Sequence, residues 1–397
     1  MATPLNLLAL ALLALLAWKH WTIVRFFRRP APVATRPLPL VSILQPILSG
    51  DVTLPATLAH NLRMATDYPL EFIWLVDEDD PAAQAICRDL VEALGAGRIQ
   101  LLLLPAAPQG HNPKTFKLLA GQAVARGEIL CVLDDDTMLP DYGLEQCLPF
   151  LDRPGAGLVF GLPYQVNFAN LWSSLAATFV NSSSLLTYIP YTTLHTPVTI
   201  NGMFYAVRRG TWDEIGGWRG VETILADDFA VAMKVRQRGL ELVQTPLCHA
   251  ISTHITGMRP YLRLMQRWFI FPRESLMRHL PGDEQALVYA LALAPALAPL
   301  LLVIGLLVWP SALLAGLVAA AFIYQYTIFA HCNVAYLRQA TPWRWSWLVP
   351  ALQLVVPLQL LAALLLPQRI TWRGHVMEVQ RGGSFRFVQR RAERRRL

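Results

Sequence analysis

The sequence predicts an α/β domain built on a mostly parallel, Rossmann-like sheet, with apolar helices at both ends of the chain that lie in lipid. Three observations carry this prediction. Short apolar runs alternate with amphipathic stretches from position 41 onward, the rhythm of a doubly wound sheet. Two of those runs end in clustered acid, Asp77-Glu78-Asp79-Asp80 and Asp134-Asp135-Asp136. The chain is also 54% hydrophobic and only 15% charged, against about 25% charged in an ordinary soluble domain. At 397 residues it has room for one domain and several membrane passes.

Residues 4–24 are nearly continuous Leu, Ala, Trp and Ile, broken by Lys19 and His20. Lys19, Arg25, Arg28 and Arg29 follow the apolar core, whereas a cleaved signal peptide carries its charge in front. Positions 1–29 are therefore expected to be an uncleaved transmembrane anchor, with the N-terminus outside and the following chain in the cytoplasm. A proline-rich linker (Pro30, Pro32, Pro37, Pro39) leads into a main domain expected over 36–256.

Within that domain strands are expected at 41–48, 71–77, 99–105 and 128–133, and helices at 54–66, 81–94 and 114–126, the second with Pro81 at its first position. A helix near 142–151, a strand at 156–166, a strand at 196–210 with Gly202 inside it, and a helix at 225–243 opening on Asp227 and Asp228 follow. Residues 170–191 are long, apolar and rich in Ser and Thr, fitting either a helix against the bilayer or a lid. Residues 257–283 set Arg263, Arg267, Arg273 and Arg278 among large apolar side chains, which predicts an amphipathic interfacial helix broken at Pro272.

Apolar stretches at 285–309, 311–331 and 346–366, each near the ~20 residues a crossing needs, predict a membrane region over 284–366. Three crossings would leave the tail, 367–397, on the side opposite the main domain, against the positive-inside rule. The third stretch contains Pro350 and Pro357 and is a candidate for a re-entrant or interfacial segment. From Arg369 onward nine Arg face two Glu, a tail suited to an anionic membrane surface. The rest of the chain is close to neutral, so nothing in the charge argues for nucleic acid. Five scattered cysteines with no CxxC pair predict free thiols in a reducing compartment.

Strands of one parallel sheet deliver their C-terminal residues to one edge, where open α/β sheets hold ligands. Neighbouring carboxylates repel unless a cation sits among them, and only Lys114 and Lys117 stand on the adjoining loop. No glycine-rich phosphate loop occurs at the strand–helix joints. The acidic edge therefore predicts a divalent metal, Mg²⁺ or Mn²⁺, for a phosphorylated ligand. Asp227 and Asp228 open a helix, where carboxylates also serve as capping. His249 and His254 lack the i, i+4 spacing of a metal pair. Asn181-Ser182-Ser183 is a glycosylation sequon that a cytoplasmic site would not use, and Trp-rich 342–347 fits an interface belt.

The order of an acidic strand end, an HNPK loop (111–114), LDDDT (133–137), GLPY (161–164), ADDF (226–229) and QRW (266–268) resembles family 2 glycosyltransferases, in particular membrane-bound ceramide glucosyltransferases and bacterial hopanoid glycosyltransferases. The resemblance implies a GT-A catalytic domain. It implies nucleotide-sugar contacts from Asp77, Lys114, Asp134 and Asp227, a metal on Asp134 and Asp136, and Asp228 as the catalytic base. Gln266, Arg267 and Trp268 match the end of the (Q/R)xxRW motif, at the diphosphate or acceptor, although Leu264 stands three before Arg267. ITWRG (370–374) resembles the family's segment after the last membrane helix. Thr196 separates His195 from Pro197, where the ceramide type has an adjacent pair.

The implied activity is inverting, metal-dependent transfer of a hexose from a UDP-sugar-like donor to the hydroxyl of a membrane lipid. The acceptor would be ceramide-, hopanoid- or diacylglycerol-like, and the enzyme a multi-pass protein of a bacterial inner membrane with its catalytic domain on the cytoplasmic side. Two other readings remain: a processive polysaccharide synthase of the same fold, which would usually need more membrane helices, and a non-catalytic membrane scaffold, which would be expected to lose the carboxylates that stand here.

Overall fold

A computed structural model describes residues 2–391 apart from positions 95, 366, 373 and 381. Arg373, Arg381 and the last six residues of the basic tail lie outside the described residues. Helix α1 (Ala2–Phe27) is followed by an alternation of β1 (Val41–Ile47), α2 (Leu54–Arg63), β2 (Leu70–Asp77), α3 (Pro81–Leu94), β3 (Ile99–Leu104), α4 (Pro113–Val124) and β4 (Ile129–Leu133). Then come β5 (Thr137–Met138), β6 (Ala156–Gln165), α5 (Leu171–Tyr191), β7 (Phe204–Arg208), α6 (Arg209–Glu214), α7 (Asp227–Gln237) and β8 (Glu241–Ile251).

These strands form one sheet in the order β3-β2-β1-β4-β7-β6-β8-β5. It is parallel from β3 to β4 and again between β6 and β8, while β7 runs against both its neighbours. Alternation along β4 shows why the central strands read as unbroken apolar runs. Ile129, Cys131 and Leu133 enter the core on one face with Trp74 and Leu58, and Leu130 and Val132 enter the other with Trp212 and Trp218. A strand covered on both faces has no polar side to show.

The chain continues through α8 (Met258–Phe271), a π-helical turn at Pro272–Leu276, α9 (Met277–His279), α10 (Gly282–Val288), a second π-helical turn at Tyr289–Leu293, α11 (Ala294–Val308), α12 (Ala312–Ala335) and α13 (Leu348–Leu365). A three-stranded antiparallel sheet closes the described chain, with β9 (Arg369–Trp372), β10 (His375–Val379) and β11 (Phe385–Gln389) in the order β11-β10-β9. Among the described residues four helical segments are long and apolar enough to cross a membrane: Thr3–Phe27, Gly282–Val308, Ala312–Ala335 and Leu348–Leu365. The protein is a membrane protein with a mixed α/β domain.

Several expected elements differ. No α-helix forms over 142–151; turns lead instead into a 3₁₀ turn at Leu148–Asp152, because Pro149 removes a donor and disfavours helical backbone at the residue before it. The strand expected at 196–210 is confined to Phe204–Arg208, and Gly202 sits in the turn before it. The helix expected to reach 243 stops at Gln237: Gly239 adopts φ +72°, and the following Leu-Glu-Leu-Val turns into β8. Pro272 does not break the interfacial helix, since the π-helical turn absorbs its missing donor.

The basic tail is not simply spread for a membrane surface. Arg391 donates to Ser49 O at 2.9 Å and approaches Asp80 at 3.5 Å, and Arg390 donates to Ala107 O at 3.0 Å. Ile370, Met377, Val379 and Phe385 pack with Leu225 and Ile270.

Candidate active site

The carboxyl ends of β2 and β4 bring Asp77 and Asp134 to one edge of the sheet, and the start of α4 places two lysines against them. Asn112 caps α4 by accepting from the amides of Lys114 and Thr115, while its own amide donates to Ile224 and Leu225 carbonyls. This ties the α4 start to the segment before Asp227. Lys114 Nζ consequently lies 2.7 Å from Asp134 Oδ1, 3.3 Å from Asp227 Oδ2 and 2.9 Å from Gly202 O. Burial alone would lower its pKa, but the Asp134 and Asp227 carboxylates outweigh burial and hold the ammonium well above its ordinary range. Lys117 Nζ pairs with Asp77 Oδ2 at 2.9 Å. Burial nevertheless raises the Asp77 carboxyl, and the Lys117 charge only partly offsets it.

Asp228 differs from its neighbour. Burial, then the adjacent Asp227 charge, push its carboxyl up to about 7, despite an amide bond from Phe229. Gly202 stands so close that a Cβ there would meet Asp228 Cβ at 2.8 Å. The glycine singled out in the sequence is thus a close approach to a carboxylate-bearing side chain.

The three aspartates after β4 have separate positions. Asp134 meets Lys114, and buried Asp135 accepts from Leu48 N at 2.8 Å, binding β1 to β4. Asp136 accepts from the hydroxyls of Thr137 and Thr253 and lines the cavity along with Asp134.

That cavity, about 510 Å³, is lined by eight of the predicted site residues: Asp77, Lys114, Asp134, Asp136, Asp227, Asp228, Arg267 and Trp268. Gln266 is the exception. It donates to Pro367 O at 2.9 Å and is not among the lining residues, because α8 turns successive side chains through about 100°. Beside these charged groups the lining carries an apolar patch. Phe179 of α5 stacks on Trp268 with ring centroids 5.8 Å apart, and Phe269, Phe271 and Pro272 extend that patch.

Sequence reading missed Ser183, Thr187 and Tyr188 on α5, Asn201, and Trp372 and His375 from the tail sheet, all of which line the cavity. The signal for α5 was its Ser and Thr content. Trp372 lies in the ITWRG segment that the resemblance singled out, but nothing local placed it or His375 at the site, which they reach through a long-range packing of the tail.

The donor set suits a hard divalent cation. Among the described residues no group of three or more His, Cys, Asp or Glu side chains converges, so a metal here would take one or two carboxylates, Asp134 and Asp136, and the rest of its ligands from phosphate and water. That is the usual manner of Mg²⁺ binding at nucleotide sites.

Glycosyl transferase family 21 matches residues 1–385. The chain belongs to this family. Ceramide glucosyltransferase 1 of Caenorhabditis elegans is 24% identical over 235 residues, 59% of this chain and 48% of that protein. A probable glycosyltransferase of Bacillus subtilis, YdaM, is 24% identical over 239 residues, 58% of this chain and 54% of that protein. The chain thus spans about half the length of the curated relatives it matches.

Among solved structures, a mannosyltransferase from Pyrobaculum calidifontis in complex with GDP-Man and Mn²⁺ superposes with a TM-score of 0.49 at 18% identity, covering 90% of this chain and 99% of that one. GalNAc-T7 with UDP, GalNAc and Mn²⁺ gives a TM-score of 0.42 at 12% identity, covering 64% and 55%.

In this member of glycosyl transferase family 21, the residues matched to the motifs of the resemblance fall on the edge of the sheet that ends β2 and β4 and on the helices facing it. Asp227 and Asp228, which capping alone could have explained, open α7 directly opposite Lys114 and Gly202.

Proposed function

We propose that this protein transfers a hexose from a nucleotide-sugar donor to the hydroxyl of a membrane lipid, with inversion at the anomeric carbon. The observation that carries the reading is the pairing, in one cavity, of a carboxyl poised to titrate near neutrality with an apolar patch of Phe179 from α5 and Trp268 and Phe269 from α8. The relatives named as a ceramide glucosyltransferase and a glycosyltransferase support the direction.

The donor diphosphate would lie by Asp134 and Lys114, with Asp77 toward the nucleotide and Arg267 supplying positive charge from α8. Bound at Asp134 and Asp136, Mg²⁺ or Mn²⁺ would neutralise the departing diphosphate. Asp228 as carboxylate accepts the proton of the acceptor hydroxyl as its oxygen attacks the anomeric carbon. The bond from that carbon to the diphosphate breaks on the opposite face, and the nucleoside diphosphate leaves with its electron pair. Proton transfer of this kind contributes roughly 10²–10⁴-fold. Trp268 and Phe179 hold the acceptor's apolar part, so a ceramide-, hopanoid- or diacylglycerol-like lipid fits better than a soluble sugar. Because Arg25 in the last turn of α1 and Arg28 and Arg29 after it stand on the domain's side, we place the domain in the cytoplasm, at a bacterial inner membrane.

The test is sugar transfer by membranes containing the protein, using labelled UDP-glucose, UDP-galactose and UDP-N-acetylglucosamine with and without EDTA. Discrete label in chloroform-extractable lipid, lost in the Asp228→Asn variant, is the expected result. Label in polymer would instead identify a processive synthase. No incorporation above the Asp228→Asn variant from any donor would refute the proposal.

A further inference from the structure

We propose that α13 does not cross the bilayer but lies along its surface on the side of the α/β domain, with the phospholipid of that leaflet as its partner. This rests on where the chain is at each helix end, not on the proposed activity.

Helix α1 starts away from the domain and ends beside it. Its early residue Leu5 packs on Gly305 near the end of α11. Its last residue, Phe27, stacks on Tyr336 just beyond α12, with ring centroids 4.0 Å apart. Helix α10 begins at the domain, where Glu284 pairs with Arg236 of α7, and α11 carries the chain to the Leu5 end. Helix α12 brings it back: Leu337 packs in one cluster with Leu162 of β6 and Cys248 of β8, and Asn181 of α5 donates to Thr341 Oγ1 at 2.8 Å.

Helix α13 therefore starts on the domain's side. It also ends there. Pro367 O accepts from Gln266 of α8, and Gln368 donates to Glu274 at 2.9 Å. Ile370 lies in a cluster with Leu225 and Ile270. A segment whose two ends lie on one face crosses an even number of times, and 18 residues span about 27 Å, not enough for two crossings.

The two faces of α13 agree with this placement. Gln359 pairs with the Tyr261 hydroxyl of α8 at 2.9 Å, while Leu358, Leu361, Leu364 and Leu365 are exposed, the last by 88%. The membrane helices expose leucines in the same way, at Leu301, Leu307 and Leu313, and lipid is the surface that covers both. Trp343 and Trp347, half-exposed before α13, suit the headgroup level. Charge follows the same division: Arg338, Arg344 and Arg369 flank α12 and α13 on the domain's side, whereas positions 1–5 and 309–311 contain no Lys or Arg. Three crossings, by α1, α10–α11 and α12, put every basic loop on one face.

The test is cysteine labelling in sealed vesicles of known orientation with a membrane-impermeant maleimide, the five native cysteines being buried. Arg344→Cys and Arg369→Cys are expected to label from the same face, and Ala312→Cys from the other. Labelling of Arg344→Cys and Arg369→Cys from opposite faces overturns the proposal. A second measurement needs no point variant: protease access to an N-terminal and a C-terminal tag on the full chain. Three crossings put the tags on opposite faces; tags on the same face mean a fourth crossing and overturn it.

Discussion

A Cβ built on Gly202 would stand 2.8 Å from the Cβ of Asp228, closer than real Cβ atoms come, and both residues line the cavity. The contact is near the backbone of Asp228, so no flexible end can swing away. Gly202→Ala is expected to displace the carboxyl and lower kcat by one to two orders of magnitude, since about 1 Å of misplacement can cost about 10²-fold. Donor affinity, measured by calorimetry, should change far less. Equal losses in both would show that Gly202 shapes the donor pocket instead.

Asp228 should impose a pH dependence. Its carboxyl is raised to about 7 by burial and by Asp227, and only the deprotonated form accepts a proton. Transfer should therefore rise with pH through that value and fall below it. A pH profile of single-turnover rates checks this; a profile flat from pH 5 to 8 would contradict the assignment.

Lys114 is held between Asp134 and Asp227. Lys114→Met leaves the buried Asp227 and the partly buried Asp134 without their shared cation, a change that in fully buried pairs costs about 3–5 kcal/mol. Denaturation of the detergent-solubilised protein should show this loss together with weakened donor binding. Lys114→Arg should restore part of the charge but not the geometry, as the longer planar head cannot occupy the same three-way contact.

Removing divalent metal with EDTA should abolish transfer, and Mn²⁺ or Mg²⁺ should restore it. Asp136→Asn should shift the metal concentration needed for half-maximal rate upward by about tenfold or more, as loss of a charged ligand does in oxygen sites. Calorimetry of Mn²⁺ binding in the presence of nucleoside diphosphate gives a readout independent of turnover.

Trp268 stacks on Phe179 in the apolar patch. Trp268→Ala should raise the acceptor KM several-fold, by loss of apolar area worth about 25 cal/mol per Å², and leave the donor KM unchanged. A matched rise in both would move Trp268 to the donor side.

Much of the architecture was legible because its signals are local. Buried strands such as Ile129–Leu133 must be apolar throughout, and the carboxylates that follow them stand next in sequence, so strand and site residue were read together. Pro81 marked a helix start through backbone chemistry confined to a few residues, whereas the Asn112 cap that starts α4 two residues before the expected bound was not read. The errors came where local pattern met a distant constraint. The pattern that suggested a helix to 243 ran into Gly239 and the demand of β6 for a parallel partner.

The sequence by itself determined the α/β sheet, the membrane helices and the acidic edge, since period, burial and strand ends are properties of consecutive residues. Only the tertiary structure decided three further matters. It set Lys114 between Asp134 and Asp227, which lie 93 residues apart, and it brought Trp372 and His375 from the tail sheet to the cavity wall. It also returned both ends of α13 to one face. Each depends on packing between segments distant in the chain, where the apolar pattern records that a surface is buried but not which partner buries it.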